Sequence, residues 1–410
     1  MITKVAYLSM HTSPLAQPGQ GSAGGMNVYI HELARTMADR GIDVVVFTRR
    51  TDPTQPTVVR PRSGYSVVHI DAGPSAEIPI AEMPELVPTF AQGVVQWTIS
   101  DGRRFDLVHS HYWLSGWAGV LCKEAFGIPL ANSFHTLGRV KDLNRRVGEP
   151  ASSPLRTLTE EQVISMSDCV IASTPYEFDD LLDHYSADPE RLCTSPPGID
   201  HDVFRPGDAD EARFWLGLGE QPIVLFVGRI QPLKGIDVAI EALGLLPDHV
   251  AGGTGPPNLV AIGGPSGPAG VGELARCQSL ANSRGLEDRV HFIPPQPHST
   301  LAGFYRAANV LIMPSRSETF GLVAAEAQAC GLPVVASAVG GLPYVVDDGT
   351  SGLLVNGHEP GDFAKALLRV LDDPDLEARL SGGALEFAER FSWTATADRL
   401  LELYAGITGL

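Results

Sequence analysis

A chain of 410 residues is too long for one ordinary hydrophobic core, so two domains are expected. Its 44% apolar and 19% charged residues suit a globular chain. With 30 basic against 48 acidic side chains the net charge is −18, which opposes nucleic acid and anionic membrane surfaces as partners.

Short β-branched runs alternate with helical patterns, the signature of parallel sheets with covering helices. In the first half, strands are expected at 4–10, 43–49, 66–71, 105–111, 129–135, 169–174 and 192–197. Between the first two, Gly19, Gly21 and Gly24 spell G-x-G-x-x-G. Met26, Ile30, Leu33 and Met37 then recur at helical spacing, with Gly41 as a stop. His109 and His111 are expected on opposite sides of their strand, one of them buried, and not as a metal pair. The Pro/Gly/Asp-rich stretch 196–210 reads as a linker. Beyond it, strands are expected at 222–229, 258–264, 289–295, 308–315, 333–341 and 351–355. A helix is expected to begin near Phe320, with Glu326 about two turns in. The tail 391–407 reads as a closing helix that crosses back to the first domain.

The fold class is therefore α/β: two Rossmann-like, doubly wound parallel-sheet domains, 1–200 and 201–390, followed by a terminal helix in 391–410. Ligands of such sheets sit at the carboxyl ends of the strands, here an interdomain cleft. The five cysteines (Cys122, Cys169, Cys193, Cys277 and Cys330) are scattered and form no C-x-x-C pair, so they read as core or incidental residues of a chain kept in a reducing cytoplasm.

In a chain this acidic, an anionic ligand must be gripped by local cations. "FVGRIQPLKG" (226–235) puts Arg229 at a strand's carboxyl end and Lys234 one short loop later, where both can converge on a diphosphate. "PSRSETFGLVAAEAQACG" (314–331) sets Glu318 in a loop and Glu326 on a helix. Backbone amides of Thr319, Phe320, Gly321 and Leu322, at the helix start, suit a diphosphate. Glu326 suits ribose hydroxyls and Glu318 those of a sugar. The glycine loop admits a second reading, an NADP-dependent oxidoreductase with Arg49 and Arg50 holding a 2′-phosphate. Against it, eight residues (His11–Pro18) separate the strand from Gly19, whereas a dinucleotide loop follows its strand directly. A non-catalytic sugar-nucleotide binding protein is a third reading. No Asp-x-Asp near a strand end points to a metal.

The Glu-x7-Glu pair with its intervening Phe-Gly, behind "FVGRIQPLKG", resembles the retaining glycosyltransferases of family 4 from residue 4 to about 405. "SMHTSPLAQPG", "GGMNVYI", "LVHSHYWLSG" and "GGPSGP" make it most similar to the D-inositol 3-phosphate glycosyltransferases that begin mycothiol synthesis. The resemblance implies the GT-B fold, a nucleoside-diphosphate sugar (UDP-GlcNAc or a GDP-sugar) as co-substrate and no required cofactor. It also implies front-face attack by the acceptor, without a protein nucleophile. The partners are then a small-molecule donor and acceptor, and a homodimer would be compatible. Catalytic roles fall on Arg229, Lys234, His135 and Glu318, with Gly24 and Gly25 reaching the donor from the first domain.

On the acceptor side the resemblance maps His11, Asn27, Tyr112, Thr136 and Arg156 onto positions that hold inositol phosphate. One departure stands out. Where the family has a lysine that grips the acceptor phosphate, this chain has Ile80, with Glu77 and Glu82 nearby. A lost charge-assisted bond is typically worth ~1.5–3 kcal/mol. Arg139 and Lys141 are the nearby cations that could substitute. The expectation is an intact donor machinery with a changed, neutral or singly anionic acceptor, as a natural-product (antibiotic or low-molecular-weight thiol) pathway would use.

Overall fold

The computed structural model describes residues 1–410 apart from 20, 22, 147, 148, 252 and 267–269. Its first sheet contains β1 (Lys4–Leu8), β2 (Asp43–Arg49), β3 (Val58–Val59), β4 (Ser66–Ile70), β5 (Leu107–His111), β6 (Leu130–Ser133), β7 (Cys169–Ala172) and β8 (Leu192–Thr194). They lie in the order β3-β4-β2-β1-β5-β6-β7-β8. The neighbours are parallel except for β3, which runs antiparallel to β4. The sequence pattern did not announce β3, because two residues carry no periodicity.

The second sheet contains β9 (Ile223–Val227), β10 (Asn258–Ile262), β11 (Val290–Ile293), β12 (Val310–Met313), β13 (Val334–Ser337) and β14 (Gly352–Val355). Its order is β11-β10-β9-β12-β13-β14, parallel throughout. Helices cover both faces of each sheet, which is why strands such as Val44–Phe47 and Ile223–Phe226 read as continuous apolar runs rather than alternating ones.

In each sheet the chain works outward from a central strand and then returns to its other side, at β1/β5 and at β9/β12. These are topological switch points, where the loops at the carboxyl ends diverge and leave a crevice. The helix Gly25–Asp39 lays Ile30, Leu33 and Met37 on the first sheet, and Gly41 (φ +79°) lets the chain turn afterwards.

The last helix, Trp393–Thr408, leaves the second sheet and packs on the first. Its Trp393, Ala397, Leu400 and Tyr404 share one core with Val5, Tyr7, Leu33 and Met37. The two strands of chain that cross between the sheets touch: Ile199 bridges Ser392. Gly198 sits so close to the start of the last helix that a Cβ there would lie 2.1 Å from Trp393 N.

That contact is with backbone, which cannot swing aside. Gly198→Ala is therefore expected to lower stability by about 1–3 kcal/mol, seen as a lower urea midpoint. Gly406→Ala, in the last helix with nothing within 4 Å of its added methyl, is expected to leave the midpoint unchanged or raise it.

Candidate active site

The loops after β1, β5, β6, β9 and β12 meet between the two sheets. After β1 the glycine loop runs straight against the second domain. A Cβ on Gly24 would lie 3.3 Å from Arg229 Nε, and one on Gly25 would lie 3.3 Å from Leu322. Ser266 Oγ donates to Gly21 O (2.6 Å), and Gln17 Nε2 donates to Gln296 O (3.2 Å). The end of "GGPSGP", at 267 and 268, lies outside the described residues.

On the second-domain side, Arg229 follows β9 and Lys234 closes the short turn Pro232–Lys234. Lys234 Nζ reaches Glu318 Oε1 at 2.5 Å, and Ser315 Oγ donates to the same oxygen at 3.0 Å. Burial holds the Arg229 pKa below its ordinary value, with the Glu318 charge opposing that shift. The helix begins at Leu322, not at Phe320, because Gly321 (φ +108°) takes a left-handed conformation that stops the helix from extending backwards. Glu326 is therefore the fifth helical residue, a little over one turn in rather than two. It is buried; Tyr305 donates to its Oε2 at 3.0 Å, and burial raises its pKa.

The Glu318–Phe320 loop rests on bare backbone. Gly340 has φ +51°, a Cβ on it would lie 2.0 Å from Glu318 O, and Gly341 N donates to that carbonyl. The expected strand 333–341 thus ends at Ser337, and its Gly-Gly pair is the turn that backs the loop. The Gly-Gly dipeptide itself was the available signal.

Beneath the cleft lies a histidine cluster. His109 and His111 do not face opposite sides of β5: residues two apart on a strand share a face. Their rings are 4.2 Å apart, and both pack edge-on against Tyr7. His111 Nδ1 meets His135 Nε2 at 3.0 Å. His109 bonds Tyr404 OH of the last helix (2.6 Å) through Nδ1 and Ser133 Oγ (3.0 Å) through Nε2. His135 has φ +61°, uncommon for a residue with a side chain, and its carbonyl accepts from Thr319 Oγ1 across the cleft at 2.7 Å. Burial pushes His11, His109 and His135 down to about 3, and His111 well below its ordinary value, so all four are neutral imidazoles.

Next to them stand the residues mapped to the acceptor. His11 packs on Tyr112 (4.5 Å between ring centres), and the Arg156 guanidinium lies over the same Tyr112 ring at 5.2 Å. After burial, the charges of Arg229 and Arg156 are what disfavour protonation of His11, so that histidine sits where both guanidinium groups are felt. Arg156 is already engaged: its Nε donates to buried Glu160 (2.8 Å), and another nitrogen to the carbonyl and hydroxyl of Thr136. Glu160 also accepts from Gly138 N and Tyr185 OH. Sequence reasoning passed over it, although four residues after Arg156 is the spacing of a helical ion pair.

Asn27 spends both amide hydrogens on Thr12 Oγ1 and Ser13 O and accepts from Gly24 N, so it ties the glycine loop together. Ile80 is exposed, in the short helix Ile80–Leu86. Of the two candidate replacement cations, Arg139 is bound to Glu161 and to His184 O and stacks on Tyr185. Lys141 is half-buried, and its pKa is lowered by burial and then by Arg156 and Arg229.

The arginines of the NADP reading are structural. Arg49 is fully buried and donates to the carbonyls of Arg50, Pro74 and Ala76, while Arg50 is held by Asp71, Gln55 O and Thr57. Neither presents a free face to a 2′-phosphate. Among the described residues no group of three or more His, Cys, Asp or Glu side chains could hold a metal, and no helix is long and apolar enough to cross a membrane.

Comparisons with known proteins agree on a family. Residues 208–386 match the model described as glycosyl transferases group 1, and residues 24–198 that of a glycosyl transferase 4-like domain. A D-inositol 3-phosphate glycosyltransferase of Thermobispora bispora is 45% identical over 405 residues, 98% of this chain and 94% of that protein. One from Catenulispora acidiphila is 46% identical over 404 residues, covering 98% and 94%. Among solved structures, a sucrose-phosphate synthase from Thermosynechococcus elongatus superposes with TM-score 0.91 at 34% identity, covering 99% of each chain. Anabaena HepE in complex with UDP and glucose shares the fold at TM-score 0.79 and 19% identity, covering 98% of this chain and all of that one.

Histidines kept neutral by desolvation, two of them buried (His109 and His111) and two partly buried (His11 and His135), make stability depend on acid. Their folded pKa lies below the unfolded value of about 6.5, so the stability they contribute is whole above that pH and is lost as pH falls from there towards 3. Each contributes at most about 1.4 kcal/mol per pH unit. Glu177, pushed up to about 7 by burial, works in the opposite sense and offsets one of the four. The melting temperature is expected to fall steadily from pH 6.5 to pH 5. A flat profile there would contradict the neutral cluster.

Proposed function

Because this chain belongs to the glycosyltransferases of family 4, we propose that it moves a sugar, with retention of anomeric configuration, from a nucleoside-diphosphate sugar to a small polar acceptor. Residues 1–200 are assigned to the acceptor and 201–390 to the nucleotide sugar. The observation that carries this reading is the meeting of Arg229, Lys234, Glu318 and the start of the Leu322–Ala329 helix against the bare backbone of Gly24 and Gly25.

The barrier to such a transfer lies in building oxocarbenium character while a diphosphate carries negative charge away. Fixed cations and amide dipoles aimed at the leaving group are the largest lever on it. Arg229 and Lys234 supply the cations, and the first amides of the helix at Leu322 have no carbonyl one turn before them to bond. Lys234 also orients the Glu318 carboxylate, whose remaining oxygen is left for a sugar hydroxyl. Glu326, with one oxygen on Tyr305, keeps the other for ribose. His135, neutral and held by His111 and Thr319, orients a hydroxyl of the donor sugar from the opposite wall. No nucleophilic side chain is required: the acceptor attacks from the face the diphosphate leaves, and positioning supplies much of the rate.

UDP-GlcNAc is the donor favoured by the similarity to D-inositol 3-phosphate glycosyltransferases, with GDP-sugars next. The acceptor is read as neutral or singly anionic. Glu160 neutralises Arg156, Arg139 is committed elsewhere, and Ile80 offers no charge, which leaves Lys141 as the acceptor-side cation. A dianionic phosphate would find about one ammonium there.

The deciding experiment is a mass-spectrometric product assay with UDP-GlcNAc and inositol 3-phosphate, alongside UDP release with other acceptors. UDP release that needs a different acceptor supports the reading. Release of no nucleotide from UDP- or GDP-sugars with any acceptor would overturn it. Arg229→Ala and Lys234→Ala are expected to lower kcat by about 10²–10³-fold with little change in melting temperature. Ile80→Lys is expected to raise kcat/KM for inositol 3-phosphate by about 10–100-fold. Efficient turnover of that acceptor by the unaltered chain would show instead that Ile80 is compensated.

A further inference from the structure

Two of the five cysteines, far apart in sequence, meet in the fold. Cys169 opens β7, and Cys193 is the middle residue of β8, its parallel neighbour at the sheet's edge. The register sets Ile171 opposite Cys193. Cys169 stands two residues before Ile171 and therefore on the same face, so the two thiols meet on the diagonal. Their sulfurs are 2.7 Å apart, less than one ångström longer than the ~2.05 Å of a disulfide bond. Both are free thiols.

The pair is asymmetric. Cys169 is buried beneath the last helix, in one core with Ala397, Leu400 and Tyr404, whereas Cys193 is partly exposed. Cys169 donates its S–H to Cys193. That bond lowers the pKa of Cys193, which Arg399 lowers further, and raises that of Cys169. Arg399 lies alongside, with its Nε directed at Thr194 O at 3.4 Å. A partly exposed thiol that gains thiolate character beside a guanidinium, with a second thiol in contact, is the layout of an attacking and a resolving cysteine. The other three cysteines lack it: Cys122, Cys277 and Cys330 are buried, and burial pushes each up to about 12.

We propose that Cys169 and Cys193 form a reversible dithiol–disulfide site that reacts with small-molecule disulfides. The Cys193 thiolate bonds to one sulfur of the small disulfide, whose S–S bond breaks and releases one thiolate. Cys169 then loses its proton and attacks the Cys193 sulfur of the mixed disulfide, releasing the second thiolate. The protein gives up two electrons and two protons and gains one S–S bond, and the small disulfide becomes two thiols. The bond staples the edge strand to its neighbour just before the chain departs for the linker to the second domain. It also closes a loop in the unfolded chain, so the oxidised protein melts higher.

Oxidised glutathione serves as the probe on the folded, full-length protein, followed by alkylation of free thiols, digestion and mass spectrometry. The expected result is one cross-linked peptide joining Cys169 to Cys193, with thiols counted in denaturant falling from five to three and returning to five on reduction. Cys169→Ser is expected to stop at a stable mixed disulfide on Cys193. Cys193→Ser is expected to give neither adduct nor cross-link. Five thiols retained by the folded, unaltered protein, a cross-link to any other cysteine, or glutathione that stays on Cys193 of the unaltered protein without closing would each overturn the proposal. The unaltered protein decides the matter by itself if either serine variant fails to fold.

Discussion

A parallel strand ends with peptide groups that its sheet can no longer pair, and here two such sheets turn those ends toward each other. Much of the candidate site stands just past strand carboxyl ends: the glycine loop after β1, Tyr112 after β5, His135 after β6, Arg229 after β9 and Glu318 after β12, with Arg156 and Glu326 added from helices. Glycine lets the edges approach at Gly24 and Gly25, where an added Cβ would crowd Arg229 and Leu322, while Gly340 and Gly341 let the second domain's own Glu318–Phe320 loop rest on bare backbone. In a chain with a net charge of −18, bare backbone and a few placed cations are the means left for holding an anion.

The cleft wall is stiffened from behind. Tyr404 comes from the last helix, fixes His109, and through the histidine stack supports His135, while Tyr29 of the first helix packs between His135 and Trp393. This gives a physical use to a helix that leaves one domain to pack on the other. It completes the first core and also delivers a hydroxyl to His109 Nδ1, a ring nitrogen that would otherwise be orphaned in the interior. His135 can hold its unusual backbone conformation because Thr319 bonds its carbonyl from one side and His111 bonds its ring from the other.

Much of this was legible in the residues. Short β-branched and apolar runs marked thirteen of the fourteen strands among the described residues, and the restart after the Pro/Gly/Asp-rich stretch separated the two sheets. The motif around Arg229, Lys234, Glu318 and Glu326 was legible because it is local: each residue is fixed by a strand end or a helix start a few positions away. What escaped depends on long-range register. That His109 and His111 share a face follows from the strand period, but their partner Tyr404 stands 295 positions from His109. The meeting of Cys169 with Cys193 depends on which strands are neighbours and on their offset, and Glu160 gains its importance only when Gly138 and Tyr185 arrive beside it.

Charge accounting on the acceptor side follows from the same dependence on neighbours. Taken one residue at a time, Arg156 looks like an anion grip. In the fold its charge is matched by a carboxylate with no exposure to solvent, and Thr136 occupies another of its nitrogens. Arg156 then shapes the wall, stacked on Tyr112 and rigid, more than it supplies net charge. A buried pair of this kind is poor at attraction over distance but good at holding a geometry, because breaking it would strand Glu160 without a counter-charge. On the proposed reading, the distinction between a phosphorylated and an unphosphorylated acceptor then rests on the half-buried Lys141 and on the side chain at position 80. Of the two, position 80 is the exposed one, so it can change without disturbing the core beneath it.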